Sequence, residues 1–342
     1  MSIKRLGFCC KWLNDPSECG GMKVNAADRD LNGRSTTMRW LREHPAEAEQ
    51  RQWDIMNHNA AAAVKLIERV ATLPPNRRMV RLGSEMLQGY TEKDWKAWWQ
   101  QQEVQAHLSK ILAPIGETAR RLDVRLSFHP GQFCVLASDN PEIVDRSIEE
   151  FEYHADLARY MGYGVQFQDF KINVHISGRA GAEGIRRAYS RLSSEARNCI
   201  TIENEEMTHG LDECLALADL VPIVLDLHHN WVREGTYLDP VSDSVKRVVD
   251  SWRGLRPTCH YSVSREDVLV GHCSTSLPDY AVLLASGYKK SKLRAHSDFY
   301  WNQAVNDWAL SFWEQFDLQC ESKSKNLGSE QVYNRAVELG LV

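Results

Sequence analysis

The chain has 342 residues, 43% hydrophobic and 25% charged, proportions that sustain a large packed core and exclude a disordered or collagen-like polymer. Its formal net charge of -5 excludes a general basic surface, so a nucleic-acid partner would need a local positive groove or bound cations. Nine cysteines, an odd number with no CxxC pair, fit reduced thiols and exclude a zinc ribbon; no apolar run approaches the ~20 residues that span a bilayer, so we expect a cytoplasmic protein without a membrane partner.

In chain order, eight short β-like runs stand at 3–10, 78–84, 122–129, 171–176, 198–204, 222–228, 257–263 and 315–321. Helical patterns lie between them at 46–72, 91–121, 182–196, 210–219, 240–252, 302–314 and 329–340. The stretch from Asp139 to Gly162 carries the signals best: Asp139 or Asn140 as N-cap, Pro141 at the first helical position, apolar residues at helical spacing and Gly162 as the stop. Strands alternating with helices make parallel βα units, and eight of them predict an α/β TIM (β/α)8 barrel, with a doubly wound sheet as the second choice. Irregular insertions follow the first run (11–45) and the seventh (264–295), positions where barrel loops carry substrate contacts. With no linker or repeat, 1–342 is expected to be one domain.

Several runs end in residues that bind metals: His129, His175, Glu203, Asp226 with His228 and His229, and His260. His296 with Asp298 follows, and Glu321 closes the eighth run. Strand C-terminal tips converge on one face of a parallel barrel, where such enzymes place their chemistry. Imidazole and carboxylate without thiolate suit Mn²⁺, Zn²⁺ or Fe²⁺. One such histidine or glutamate is an ordinary polar group or helix cap, but a fold gathers several carboxylates only with compensating cations. His44, His58, His107, His154 and His209 lie away from strand ends and are assigned to packing or surface; His272 stays undecided. Trp95, Trp98 and Trp99 could form a stacking platform, yet their helical spacing favours packing onto the barrel.

The motifs "RLGFCC", "VRLGSEML", "LSFHPGQF", "INVHISG", "TIENEE", "LDLHHN", "CHYS", "AHSDFY" and "CESKSK" together resemble the ultraviolet-damage endonuclease family, from about residue 3 to 330. The resemblance implies a TIM barrel related to endonuclease IV, with up to three divalent ions, manganese first and zinc as the alternative. It implies that His129, His175 and Glu203 hold one ion, that Glu203 bridges to a second held by Asp226, His260 and Glu321, and that His229 and His296 with Asp298 hold a third. Glu203, Glu321 and Asp226 would then carry catalysis. Gln132 and Phe133 match residues inserted into the duplex to probe damaged bases, and Phe8, Trp12 and Lys323 match positions near the DNA; Lys323 and Lys325 read equally well as solvated lysines. The chain departs from the family pattern at Phe8 and Trp12, where tyrosine and asparagine are usual, at Phe133 for tyrosine, and at Thr258 for lysine. A histidine after the second run is also missing, with Glu92 the nearest polar substitute.

A multi-ion rim suits phosphodiester hydrolysis. The implied activity is incision of damaged double-stranded DNA 5′ to the lesion, ultraviolet photoproducts first and abasic sites second, by a monomer with no nucleotide cofactor. The alternatives are a metal-dependent sugar isomerase or epimerase, which has no use for an exposed "HPGQF" loop, and a non-catalytic damaged-DNA-binding relative.

Overall fold

The computed structural model describes residues 3–15 and 28–342. Eight parallel strands close into one barrel in chain order: β1 Leu6–Cys9, β2 Met79–Arg81, β3 Arg125–Phe128, β4 Lys171–His175, β5 Ile200–Glu203, β6 Ile223–Asp226, β7 Thr258–Tyr261 and β8 Asp317–Cys320. Each lies inside one of the expected runs, and the expected TIM barrel is the observed fold. Register sets His175 beside Glu203 and Asp226 beside His260, so the polar ends of neighbouring strands finish level.

Alternation along each strand explains the arrangement. On β4, Ile172 and Val174 join the apolar core, whereas Lys171, Asn173 and His175 share the opposite face. On β5, Ile200 and Ile202 oppose Thr201 and Glu203; on β7, Cys259 and Tyr261 oppose Thr258 and His260. The second face is polar and linked by hydrogen bonds, with Thr201 Oγ1 donating to Asn173 Oδ1 at 2.8 Å. At the N-terminal end of the strands Asp317 accepts from Arg125 Nη1 at 2.6 Å, Arg256 Nε at 2.7 Å and the Arg5 backbone N–H at 2.8 Å. That network ties one end of the barrel together and leaves the C-terminal rim for chemistry.

Helix Pro141–Tyr160 starts as expected, with Asn140 Oδ1 accepting from Glu142 N–H at 2.9 Å and Pro141 in the first turn. Gly162 follows it at φ 78°, a left-handed position suited to glycine. The expected 91–121 helix is two, Lys93–Trp99 and Gln102–Arg121, and 182–196 divides into Gly181–Tyr189 and Ser194–Cys199, the latter newly capped by Ser193. Trp98 and Trp99 are buried, as packing requires.

The 264–295 insertion forms turns and two short helices, Tyr280–Ala285 and Lys290–Leu293. Its Leu269, Leu283 and Leu293 pack on Trp231 and Val232, anchoring it to the segment after β6. Residues 16–27 of the other insertion lie outside the described residues; of the remainder, Trp12 N–H donates to Asn32 Oδ1 at 2.8 Å and Met38–Glu43 is helical. Among the described residues no helix is long and apolar enough to cross a membrane.

His154 gives the fold a measurable pH dependence. It is fully buried against Phe128 and Tyr153, its Nδ1 lies 2.8 Å from the Glu150 carbonyl and its Nε2 has no partner. Burial pushes its pKa down from 6.5 to about 4. Between those values the unfolded chain binds more protons than the folded one, so this contribution is complete above pH 6.5 and falls on acidification, by up to about 1.4 kcal/mol per pH unit. Urea midpoints across this window should decline less steeply in His154→Leu than in the unaltered chain; an identical slope would contradict the assignment.

Candidate metal centre

The hub of the rim is Glu203, the last residue of β5 and fully buried. Its Oε2 lies 3.2 Å from His129 Nε2 and 3.6 Å from His175 Nε2; its Oε1 lies 3.1 Å from His260 Nδ1 and 3.5 Å from His229 Nδ1. His260 Nδ1 is also 3.3 Å from Glu321 Oε1. Two triads, His129–His175–Glu203 and Glu203–Asp226–His260, each bring one ligand atom per residue within 4.8 Å of the others, the spacing compatible with metal bonds of about 2.0–2.2 Å.

The ligand orientations are fixed from behind. His129 Nδ1 rests 2.8 Å from the Pro130 carbonyl, which turns its Nε2 toward Glu203, and His296 Nδ1 rests 3.0 Å from the Glu321 carbonyl. Asp226 ends β6 and caps the following helix, Leu227–Glu234, by accepting from His229 N–H at 2.6 Å through Oδ1. Its Oδ2, Glu203 Oε1 and His260 Nδ1 are buried without a hydrogen-bond partner. Lone pairs left this way in one cleft, with a nitrogen and oxygen donor set, fit a divalent cation such as Mn²⁺ or Zn²⁺.

Electrostatics point the same way. Burial pushes His175 and His260 down to about 4, making them neutral imidazoles ready to donate a lone pair. Burial also drives the Asp226 carboxyl well above its usual range, reinforced by Glu203 and Glu321, against the pull of His229. Glu321 escapes that fate: burial would raise it, but its ion pair with Arg81 holds it well below the ordinary carboxylate range.

Of the residues expected at the site, His129, His175, Glu203, Asp226, His229, His260 and Glu321 converge. His296 stands at the edge, its ring 6.1 Å from that of His229. Asp298 does not join them: its side chain is 68% exposed and its Oδ1 is 3.3 Å from Lys323 Nζ. The 222–228 run is corrected too, because Asp226 ends the strand as a helix cap and puts His228 in the first helical turn, stacked on Trp231. Phe8 is corrected as a DNA contact, being 1% exposed in the core beside Leu6. Trp12 is half-buried edge-on to Phe8, with Arg69 over its ring at 5.5 Å. Gln132 and Phe133 are exposed on the loop after β3, Phe133 at 84%.

Sequence reasoning missed the supporting residues. Asn173 donates to Glu203 Oε2, and Asn204 grips the Asp226 backbone in both directions while its carbonyl lies 3.1 Å from His229 Nδ1. Lys171 Nζ is 3.0 Å from His260 Nε2. A buried amine thus does stand behind His260, supplied by β4 where the family pattern would have it at Thr258. Lys171 and Asn173 were legible as four and two residues before His175, on one strand face; nothing local marks Arg81.

The fold and this rim define a TIM barrel with a histidine–carboxylate cluster, a candidate metal centre, at the C-terminal end of its strands. The family model for UV-endonuclease UvdE matches residues 17–332, and the chain belongs to that family. It is 33% identical to the UV-damage endonuclease of Neurospora crassa over 173 residues, 45% of this chain and 26% of that protein. It is 28% identical to the UV DNA damage endonuclease of Bacillus velezensis over 162 residues, 45% of this chain and 49% of that protein; the matched segments thus span about half or less of these relatives. The crystal structure of SacUVDE shares the fold, with a TM-score of 0.71 at 21% identity over 99% of this chain and 100% of that one.

If Asn173 holds the hub carboxylate for metal binding, Asn173→Ala should weaken Mn²⁺ affinity by about 10–100-fold. Calorimetric titration checks this, and unchanged affinity would show that Glu203 needs no such support.

Proposed function

We propose that this chain is a metal-dependent endonuclease that incises damaged double-stranded DNA on the 5′ side of the lesion. The observation that carries the proposal is one juxtaposition: Glu203, shared by both ligand triads, sits behind His129, and three residues beyond His129 the exposed Gln132–Phe133 pair projects from the same rim.

His129, His175 and Glu203 would hold one ion, and Glu203, Asp226, His260 and Glu321 a second, Mn²⁺ being preferred over Zn²⁺. When bound, such ions acidify a water molecule and neutralise a scissile phosphate. The chain's own part is placement. Glu203 fixes the spacing between the two ligand sets, Arg81 orients Glu321, and His260 is backed by Lys171. Burial pushes the Lys171 ammonium down to about 7 against the pull of Glu203, so its amine can accept the Nε2–H of a His260 that ligates through Nδ1.

Recognition falls to the loop after β3. An amide can fill a vacated pairing position and an aromatic ring can wedge between bases, so Gln132 and Phe133 would test how easily the duplex opens. A cavity of about 340 Å³ lies beside them, lined among others by His129, Gly131, Ser84, Leu82 and Met86; it offers a displaced base a mainly apolar place next to the ions. Damaged sites unstack more readily than intact duplex, so selection by deformability lets one site accept several lesions.

Labelled duplexes, irradiated, abasic or intact, incubated with the protein and Mn²⁺ test the proposal. Nicks 5′ to the lesion are expected in damaged duplexes, chelation should abolish them, and no nicking of any duplex would refute the activity. Glu203→Ala should eliminate incision. Phe133→Ala should weaken binding of damaged duplex by about 1–3 kcal/mol with manganese content unchanged; loss of metal from that variant would contradict the separation of recognition from metal binding.

A further inference from the structure

The family resemblance implies a third ion on His229, His296 and Asp298, but the carboxylates there are otherwise engaged. Asp298 is exposed and pairs with Lys323. His229 Nδ1 faces Glu203 and Asp226, and its Nε2 lies 3.7 Å from Glu206 Oε2. Glu206 is the partly buried carboxylate best placed to complete a third ligand set, its side chain 13% exposed. Its other oxygen, Oε1, is taken at 2.9 Å by Arg294 Nη1, from the end of the 264–295 insertion. Arg294 is half-exposed and lies two residues before His296.

We propose that this centre takes two metal ions, and that the Arg294 guanidinium, ion-paired to Glu206 beside His229, supplies the positive charge a third ion would have brought. The proposal rests on the metal-dependent activity above and concerns the same rim. A guanidinium stays protonated at any working pH, so the positive charge opposite Glu206 does not titrate away. A divalent ion on the same carboxylate would stand a few ångströms from it, and like charges that close repel strongly in a partly buried site. Arginine also presents five N–H donors in a planar fork. With Nη1 on Glu206, others remain for oxygens of the DNA backbone, a bidentate geometry that phosphate accepts well. The insertion thereby contributes a fixed cation to the rim, held through the contacts of Leu293 with the Trp231 and Val232 cluster.

Equilibrium dialysis of the full chain against Mn²⁺, followed by elemental analysis, counts the ions. Two per chain are expected for the unaltered protein, and three would overturn the proposal. Arg294→Ala frees Glu206 and should admit a third, weaker equivalent that disappears again when Glu206→Gln is added; Arg294→Lys, which keeps the charge, should hold the count at two. Absence of a third equivalent in folded Arg294→Ala would overturn the role given to Arg294. The count is independent of incision. Two ions without nicking would sink the nuclease proposal and leave this one standing, whereas three ions with nicking would do the reverse.

Discussion

Carboxylates packed into the C-terminal mouth of the barrel are the constraint on which the rest depends. Glu203 and Asp226 are fully buried, and Glu321 is nearly so. Side chains of one charge sign gathered in a poorly hydrated cleft repel one another unless something positive stands among them. Arg81 answers for Glu321. Lys171 lies behind His260, where burial weakens its hold on a proton. Glu203 and Asp226 keep oxygens with no hydrogen-bond partner; of the imidazoles around them His175 and His260 are held neutral by burial, while Asp226 and Glu203 draw His229 up to about 9 against its burial. A fold does not leave that imbalance in its interior unless a cation completes it.

The barrel makes such crowding possible. Hydrophobic stabilisation comes from the outward strand residues against the helical ring, so the inward face is released for polar side chains. Ion pairs and hydrogen bonds around Asp317 close the opposite end. Ligands then come from strands that never exchange partners, which sets their relative positions within the tolerance that a metal centre demands. The loop after β3, by contrast, carries an aromatic ring exposed to solvent. In the proposed function, rigid ligands and a projecting ring would divide the work of chemistry and selection between two kinds of structure.

Much of this could be read from the sequence because its signals are local. The strand runs and their polar ends follow a period of two, and His129, His175, Glu203 and His260 lie near the strand ends, where the sequence pattern put them. The failures have a common cause. Phe8 sits at a strand end like the ligands, yet it shares a face with Leu6 and so packs into the core. His228 looked like strand because Asp226 caps a helix that starts without any loop. Arg81 and Glu321, or Glu206 and Arg294, meet across 240 and 88 residues, and no local pattern records such pairs. Asp298 stood in a suitable motif, but its partner Lys323 belongs to another loop and draws it to the surface.

Crystals of the protein saturated with Mn²⁺ and measured on both sides of the manganese absorption edge would show whether divalent ions share Glu203. Anomalous peaks are expected on either side of the Glu203 carboxylate, one within bonding distance of His129 and His175, the other within bonding distance of Asp226 and His260. Well-ordered density for these side chains with no anomalous peak near Glu203 would contradict that arrangement.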